Sequence, residues 1–441
     1  MHAGAFLRTR YLGTGRLFPE EIDKFLSYYS SEVSPERAGV CIRNENGVKS
    51  VTIRQAFNFS GKKAILATLA FAFFGLIPSA IHAQSGTPKF EVDPSWPKPL
   101  PERWVTGEIG GVCIDAQDHV FVVQRVNDVG GMDGHREGLT DDEYNAGQAA
   151  PPVLELDGDG KVVNSWGDSK ILPKDLHGCA VDRENHVWLD GSEDGIIQEY
   201  SHDGKEMLLQ IGKKGVFDSS DGTVNGTPLN TSPSQFFRVS EIAFDPHNGD
   251  MYVADGHAKG KGGNNFRIVV FDSKGKYLRQ WKLHRTAEEA PTAARPTPHC
   301  VRVAGDGTVY VCDRWMNRLQ LFDTMGNFKK DMPFSYKVWT PPTSSAEGAQ
   351  RFAALVGSCS SVEFSRDPGE KYMYVINEID EEIDIADRAT GKVLGSFGRP
   401  GHQVGEFMHA HTMAVDSKGN LFVGESVDGR RVQKFKLMAS K

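Results

Sequence analysis

Missing from this sequence is any stripe of positive charge. Its 58 acidic and 50 basic residues leave a formal charge of −8, and no basic run or face marks a nucleic-acid or anionic-membrane partner. Cysteine is sparse, six in 441 residues, and none falls in a C-x-x-C pair, which leaves neither a paired-cysteine metal motif nor a dense disulfide framework. Buried thiols are the expectation for most of them, with one or two bridges open to a chain in an oxidising compartment. The helix-favouring composition of a bundle is absent too. The most apolar stretch, Ala64 to Ile77, runs 14 residues against the roughly 20 a spanning helix needs, so stable membrane insertion is not expected.

That stretch has the form of an export signal instead. Lys62 and Lys63 precede it, and Pro78-Ser79-Ala80-Ile81-His82-Ala83 follows with small residues suited to cleavage after Ala83. Residues 60–83 therefore read as a signal peptide and the product as periplasmic or secreted. Residues 1–59 are polar and unrelated to the later repeats; they are expected to be a non-native or disordered extension, with translation beginning near Val48 or Val51. The span 84–441 reads as one domain.

From Pro88 onward, short β-branched and aromatic runs alternate with Gly, Asp and Asn turns, an all-β pattern. Turns such as Asp157-Gly158-Asp159-Gly160, Asp272-Ser273-Lys274-Gly275 and Gly305-Asp306-Gly307 supply the positive φ of tight hairpins. Six units begin at Gly110, His177, Ser240, His299, Ser360 and His411. Each has a second strand such as Val187-Trp188-Leu189 or Val309-Tyr310-Val311, a third such as Leu319-Gln320-Leu321-Phe322, and often a fourth ending in an aromatic and Gly. Six units of four strands predict a six-bladed β-propeller. The last unit stops after its third strand, so Lys89-Phe90-Glu91-Val92 is expected to supply the outer strand and close the ring. Asn127 to Pro152 and Lys213 to Gln235 are longer than hairpins need, and Ala258 to Asn265 is a smaller insertion; such loops serve as lids or as tolerated surface excursions.

Histidine begins alternate units. His177, His299 and His411 would converge on the axis of a closed six-unit ring, with Gly110, Ser240 and Ser360 between them leaving room for an ion. Three neutral imidazoles suit Zn²⁺ and leave a fourth position for water or substrate, and zinc is favoured over iron or copper as redox-neutral and ligand-compatible. Hydrogen-bonded channel histidines without metal are the alternative. His409 rivals His411, but only His411 keeps the spacing to Ala414-Val415-Asp416. Cys300, next along an alternating strand, should point into the core. His119, His186, His202 and His247 fall in turns and read as solvated. The second strands end in a further ring, Arg125, Asp190, Asp255 with His257, Asp313 with Arg314, Asn377 with Glu378, and Glu425. An arginine there would either bind a substrate carboxylate or tie blade to blade.

Across roughly residues 88–441 these features resemble the NHL-repeat propellers, and among them the catalytic domain of peptidyl-α-hydroxyglycine α-amidating lyases. The likeness is carried by His177-Gly178 before Val187-Trp188, by His299 ahead of Cys312-Asp313-Arg314, by His411, and by Asp255-Gly256 before Arg267-Ile268-Val269. It implies zinc on the three histidines, substrate contacts from Arg125 and Arg314, and cleavage of a carbinolamide into an amide and glyoxylate. The sequence departs from that family twice: His257 stands where the catalytic tyrosine is expected, and Thr412 where an aspartate is associated with structural Ca²⁺. A histidine serves as a general base near neutral pH. The expectation is thus an exported, zinc-dependent, lyase-like enzyme for a small or peptide-like substrate, with Arg125, Arg314 and His257 as catalytic residues. A metal-dependent hydrolase or lactonase and a non-catalytic binding propeller are the alternatives.

Overall fold

The computed structural model describes residues 86–125, 146–257, 264–286, 296–337 and 357–439. The expected extension and signal peptide lie outside them, as do most of the Asn127–Pro152 and Ala258–Asn265 insertions. The described residues form six four-stranded antiparallel sheets and one short parallel pair, Trp104–Val105 with Gln148–Ala149. No helix among the described residues is long and apolar enough to cross a membrane.

The inner strands of blades 1 to 6 are Ile109–Ile114, Leu176–Val181, Val239–Phe244, Pro298–Val303, Cys359–Phe364 and Ala410–Val415. Each packs on the inner strand before and after it, with blade 6 returning to blade 1. Blades 1 to 5 are built from consecutive strands. In blade 6 the outer strand is Phe90–Val92, antiparallel to Val432–Leu437, with Glu91 opposite Lys436. Trp96 then meets Gly160 of blade 1, where a Cβ would stand 2.6 Å from the indole; Gly160 is also left-handed at φ 85°, so only glycine suits this junction.

Apolar residues fill the spaces between blades rather than one central core, because each twisted sheet buries both faces against its neighbours. Val122, Leu154 and Trp96 of one such cluster meet Phe422 between blades 1 and 6. Met251 and Val253 meet Trp188 and Ile197 between blades 3 and 2. The axis is left to polar residues.

Four cysteines form bridges, which corrects the expectation that most are thiols. Cys113–Cys179 ties the inner strands of blades 1 and 2, whose Cα atoms are 5.7 Å apart. Cys300–Cys312 joins facing residues inside blade 4. Cys300 does point away from the axis, and Cys359 remains a buried thiol. The turn histidines are also more than solvated. His119 bonds Glu155 at 2.6 Å, His186 bonds Glu199 at 2.8 Å, His202 bonds Asp115 at 2.9 Å and His247 bonds the Gly305 carbonyl at 2.7 Å. His119 and His186 tie turns to strands, and His202 and His247 tie turns of neighbouring blades to each other.

Candidate functional site

Every inner strand opens with a β-bulge. Register slips between Ile109 and Gly111, Leu176 and Gly178, Val239 and Glu241, Pro298 and Cys300, Cys359 and Val362, and Ala410 and Thr412. The skipped residues include Gly110, His177, Ser240, His299, Ser360 and His411. An extra residue leaves the ladder and its side chain is re-aimed, so alternation along a regular strand does not apply there. The bulge takes all six positions out of the ladder, and in blades 2, 4 and 6 it brings a histidine to the axis.

Three imidazoles meet there. The ring centroids of His177 and His299 are 5.0 Å apart, those of His177 and His411 4.7 Å, and those of His299 and His411 5.0 Å. One nitrogen from each lies within 4.8 Å of the other two. Their relative exposures are 2%, 3% and 4%. Burial, with Arg125 and Arg314 nearby, pushes His177 down to about 3 and holds His299 and His411 well below the ordinary imidazole range. All three are therefore neutral at neutral pH, the form that ligates metals.

The intervening blades hold these rings in place. His177 Nδ1 donates to the Ser240 carbonyl and His299 Nδ1 to the Ser360 carbonyl, both at 2.7 Å. Each Nε2 is left buried with a free lone pair and no partner. A ring anchored through one nitrogen with the other turned inward is how proteins present ligating histidine. His411 lacks this anchor, since its Nδ1 is the buried unpartnered atom. A Cβ on Gly110, the corresponding residue of blade 1, would sit 2.1 Å from the Leu176 carbonyl. Its small size is required by contact with blade 2, rather than by space for an ion. These unsatisfied, neutral nitrogens fit a divalent metal such as Zn²⁺. Thr412, in contrast, lies against Gly424.

His257 adjoins the cluster, its ring centroid 4.4 Å from that of His177 and 5.6 Å from that of His299. Burial and the neighbouring imidazoles lower its pKa well below the usual value, and its Nδ1 has no partner. Above the cluster a second ring is set by backbone bonds. The carbonyls of Glu108, Asp175, Arg238, Thr297, Ser358 and His409, each two residues before an axial position, accept from Arg125, Ser192, Gly256, Arg314, Glu378 and Ser426.

Arg125 and Arg314 thus occupy equivalent places in blades 1 and 4, and both are ion-paired. Arg125 Nη1 reaches Glu108 at 2.9 Å and Ser426 at 3.1 Å, and its Nε lies 3.4 Å from Asp175. Arg314 pairs with Glu378 at 2.6 Å, leaving its Nε buried and unpartnered. His409 also pairs with Glu378, at 2.8 Å, which puts it in the mouth ring and off the axis. Asp190 is not equivalent to Asp255 or Asp313. It faces Gly178 one step inside the ring, and Gly191 takes the terminal position. Asp190 is buried against Gly178, and burial with the neighbouring Glu241 raises its pKa well above the carboxylate range. Counted along the second strands Val187–Gly191, Met251–Asp255 and Val309–Asp313, Asp190 stands one place before the end that Asp255 and Asp313 occupy.

Fold and site together define a six-bladed β-propeller with an axial trihistidine cluster. No protein-family profile matches the chain. It resembles NHL repeat-containing protein 3 of Homo sapiens, at 26% identity over 358 residues, covering 78% of this chain and 84% of that protein. It is 25% identical over 248 residues to peptidyl-glycine alpha-amidating monooxygenase A of Xenopus laevis, covering 55% of this chain but 24% of that protein's length. A probable peptidyl-alpha-hydroxyglycine alpha-amidating lyase of Caenorhabditis elegans is 20% identical over 342 residues, 75% of this chain and 83% of the relative. Among solved structures, virginiamycin B lyase from Staphylococcus aureus aligns with a TM-score of 0.45 at 12% identity, covering 79% of this chain and all of that one.

Proposed function

We propose that this chain is an exported, zinc-dependent enzyme that cleaves a small hydroxylated or carbonyl substrate by lyase-like chemistry, a reading supported in its lyase part by a relative named as a probable alpha-amidating lyase. The observation that carries this is the convergence of three buried, neutral imidazoles with unpartnered nitrogens. His177, His299 and His411 would hold the metal. Bound there, Zn²⁺ supplies a Lewis acid for a substrate hydroxyl or carbonyl oxygen. Arg125 and Arg314, fixed on opposite sides of the ring by their ion pairs, orient the bound substrate and face developing negative charge. His257 is neutral and accepts a proton at its unpartnered Nδ1. Two disulfides support export, since such bridges persist in oxidising compartments. The partner proposed for the axial site is a small-molecule or peptide-like substrate.

A hydrolase reading, including lactone opening, is favoured by one feature: the base beside the cluster is an imidazole, able to activate water near neutral pH. Metal analysis tests the shared foundation. Purified wild type is expected to carry stoichiometric zinc and His177→Ala almost none; wild type without zinc ends the proposal. Release of glyoxylate from α-hydroxyglycine derivatives, set against opening of lactones, separates the two chemistries. Unchanged turnover in His257→Ala removes that residue from proton transfer.

A further inference from the structure

One charged residue in the mouth ring has no counterion. Of its carbonyl-bearing members, Glu108 and Asp175 are engaged by Arg125 and His409 by Glu378. Arg238 is the blade 3 member, placed by its carbonyl accepting from Gly256 and His257 at 2.8 and 3.0 Å and by its amide donating to Asp255 at 2.9 Å. Those are backbone contacts. Its guanidinium makes no ion pair among the described residues, its Nε is buried without a partner, and the residue is 8% exposed. The face of Phe237 lies 5.7 Å from it.

A buried guanidinium without a counterion is costly, and burial accordingly lowers its pKa. Glu193 and Asp175 are the carboxylates whose fields keep it charged. Neither pairs with it, because Glu193 holds Lys174 at 2.9 Å and Asp175 lies beside Arg125. Arg125 and Arg314 are neutralised within the protein, so an acidic ligand gains less from them than from Arg238, which offers a planar, bidentate donor set with nothing on it.

We infer that Arg238 is the docking point for the anionic group of the substrate, so that carboxylate-bearing small molecules enter with the acid end on the blade 3 side of the mouth. This rests on the proposal that the histidine cluster serves a small substrate. It shifts the anion-binding role from the two arginines expected from the sequence to a third. Arg125 and Arg314 keep the roles of orienting the rest of the substrate and facing charge that develops during reaction.

Glyoxylate and its neutral counterpart acetamide serve as probes, titrated calorimetrically into zinc-loaded and metal-stripped wild type, Arg238→Gln and Arg238→Lys. Arg238→Gln is expected to weaken glyoxylate binding about 10-fold or more, the worth of a charge-assisted hydrogen bond, with acetamide binding and zinc content unchanged. Arg238→Lys should retain most of the affinity. Because Arg238→Gln removes an unpaired buried charge, its Tm should hold or rise by about 2 °C. Glyoxylate binding equal to wild type in Arg238→Gln, no glyoxylate binding by wild type, or a fall in Tm that exposes a structural partner each overturns the inference. Arg238-dependent binding by a wild type that carries no zinc would keep the anion site while removing the zinc reading.

Discussion

Even-numbered and odd-numbered blades share one backbone and divide one task between them. Blades 2, 4 and 6 place His177, His299 and His411 on the axis; blades 3 and 5 place Ser240 and Ser360 at the same bulge and use their main-chain carbonyls to orient two of those rings. The serine hydroxyls turn elsewhere, Ser240 Oγ donating to the Pro298 carbonyl at 2.6 Å and Ser360 Oγ to that of Ala410 at 3.5 Å. Blade 1 breaks the pattern, because Gly110 is pressed against blade 2 and His411 goes unanchored. A repeated fold therefore supplies six equivalent seats, and the residue in each seat decides between candidate ligand and support. The mouth ring repeats the lesson, with two arginines neutralised in blades 1 and 4 and one left bare in blade 3.

The strongest way to break this division is at the ligands. His177→Ala or His299→Ala is expected to lower zinc affinity by a factor of about 1,000 or more, since each removes one of three donors, while Ser240→Ala and Ser360→Ala keep full stoichiometry because their carbonyls remain. Competition with a chromophoric chelator reads both. Next come the bridges. Cys113–Cys179 spans 66 residues from odd to even blade and Cys300–Cys312 only 12 within one blade. Loop entropy gives about 4 kcal/mol for the first against about 3 kcal/mol for the second. Denaturant unfolding of Cys→Ser pairs should rank them in that order, and equal losses would mean that native packing, not loop closure, governs.

A third outcome concerns pH in metal-free protein. His177 is depressed to about 3 when folded and takes the ordinary value of about 6.5 when unfolded. Between those values the unfolded state binds more protons, so stability is full above about pH 6.5 and falls as pH drops toward 3, by at most about 1.4 kcal/mol per pH unit from this residue. Thermal melts across that window check the sign, and zinc, which competes with protons for the folded imidazoles, should carry the same slope to lower pH. Smaller still, Ser240→Ala should cost about 1 kcal/mol for its lost hydroxyl bond. The finest test is spectroscopic. Nitrogen-15 shifts should show His177 and His299 held as the Nδ1–H tautomer, with His411 free to exchange; three identical patterns would erase the asymmetry between blade 1 and the other odd blades.

Much of the fold was legible because propeller strands carry their signal locally. Val187-Trp188-Leu189 or Val309-Tyr310-Val311 between Gly-rich turns can bury itself only as part of a repeated sheet, and the repeat count gave six. The candidate ligands were legible for the same reason, histidine recurring at one offset in alternate units. Partners were not. Cys113 and Cys179 lie a whole blade apart in sequence, and nothing near either one names the other. Asp190 looked like Asp255 until strand pairing set it opposite Gly178, one residue short of the strand's end, and the turn histidines looked solvated because Glu155 and Glu199 come from another strand.

By itself, then, the sequence determined what is periodic: all-β blades, their number, and which side chain occupies each axial seat. Tertiary structure decided what depends on meeting across blades. It set which imidazole nitrogens are anchored, which arginines are already neutralised, and that Arg238 is not. Periodicity is written in near-neighbour residues, whereas a counterion or a carbonyl 60 or more positions away is chosen only when the ring brings the blades together.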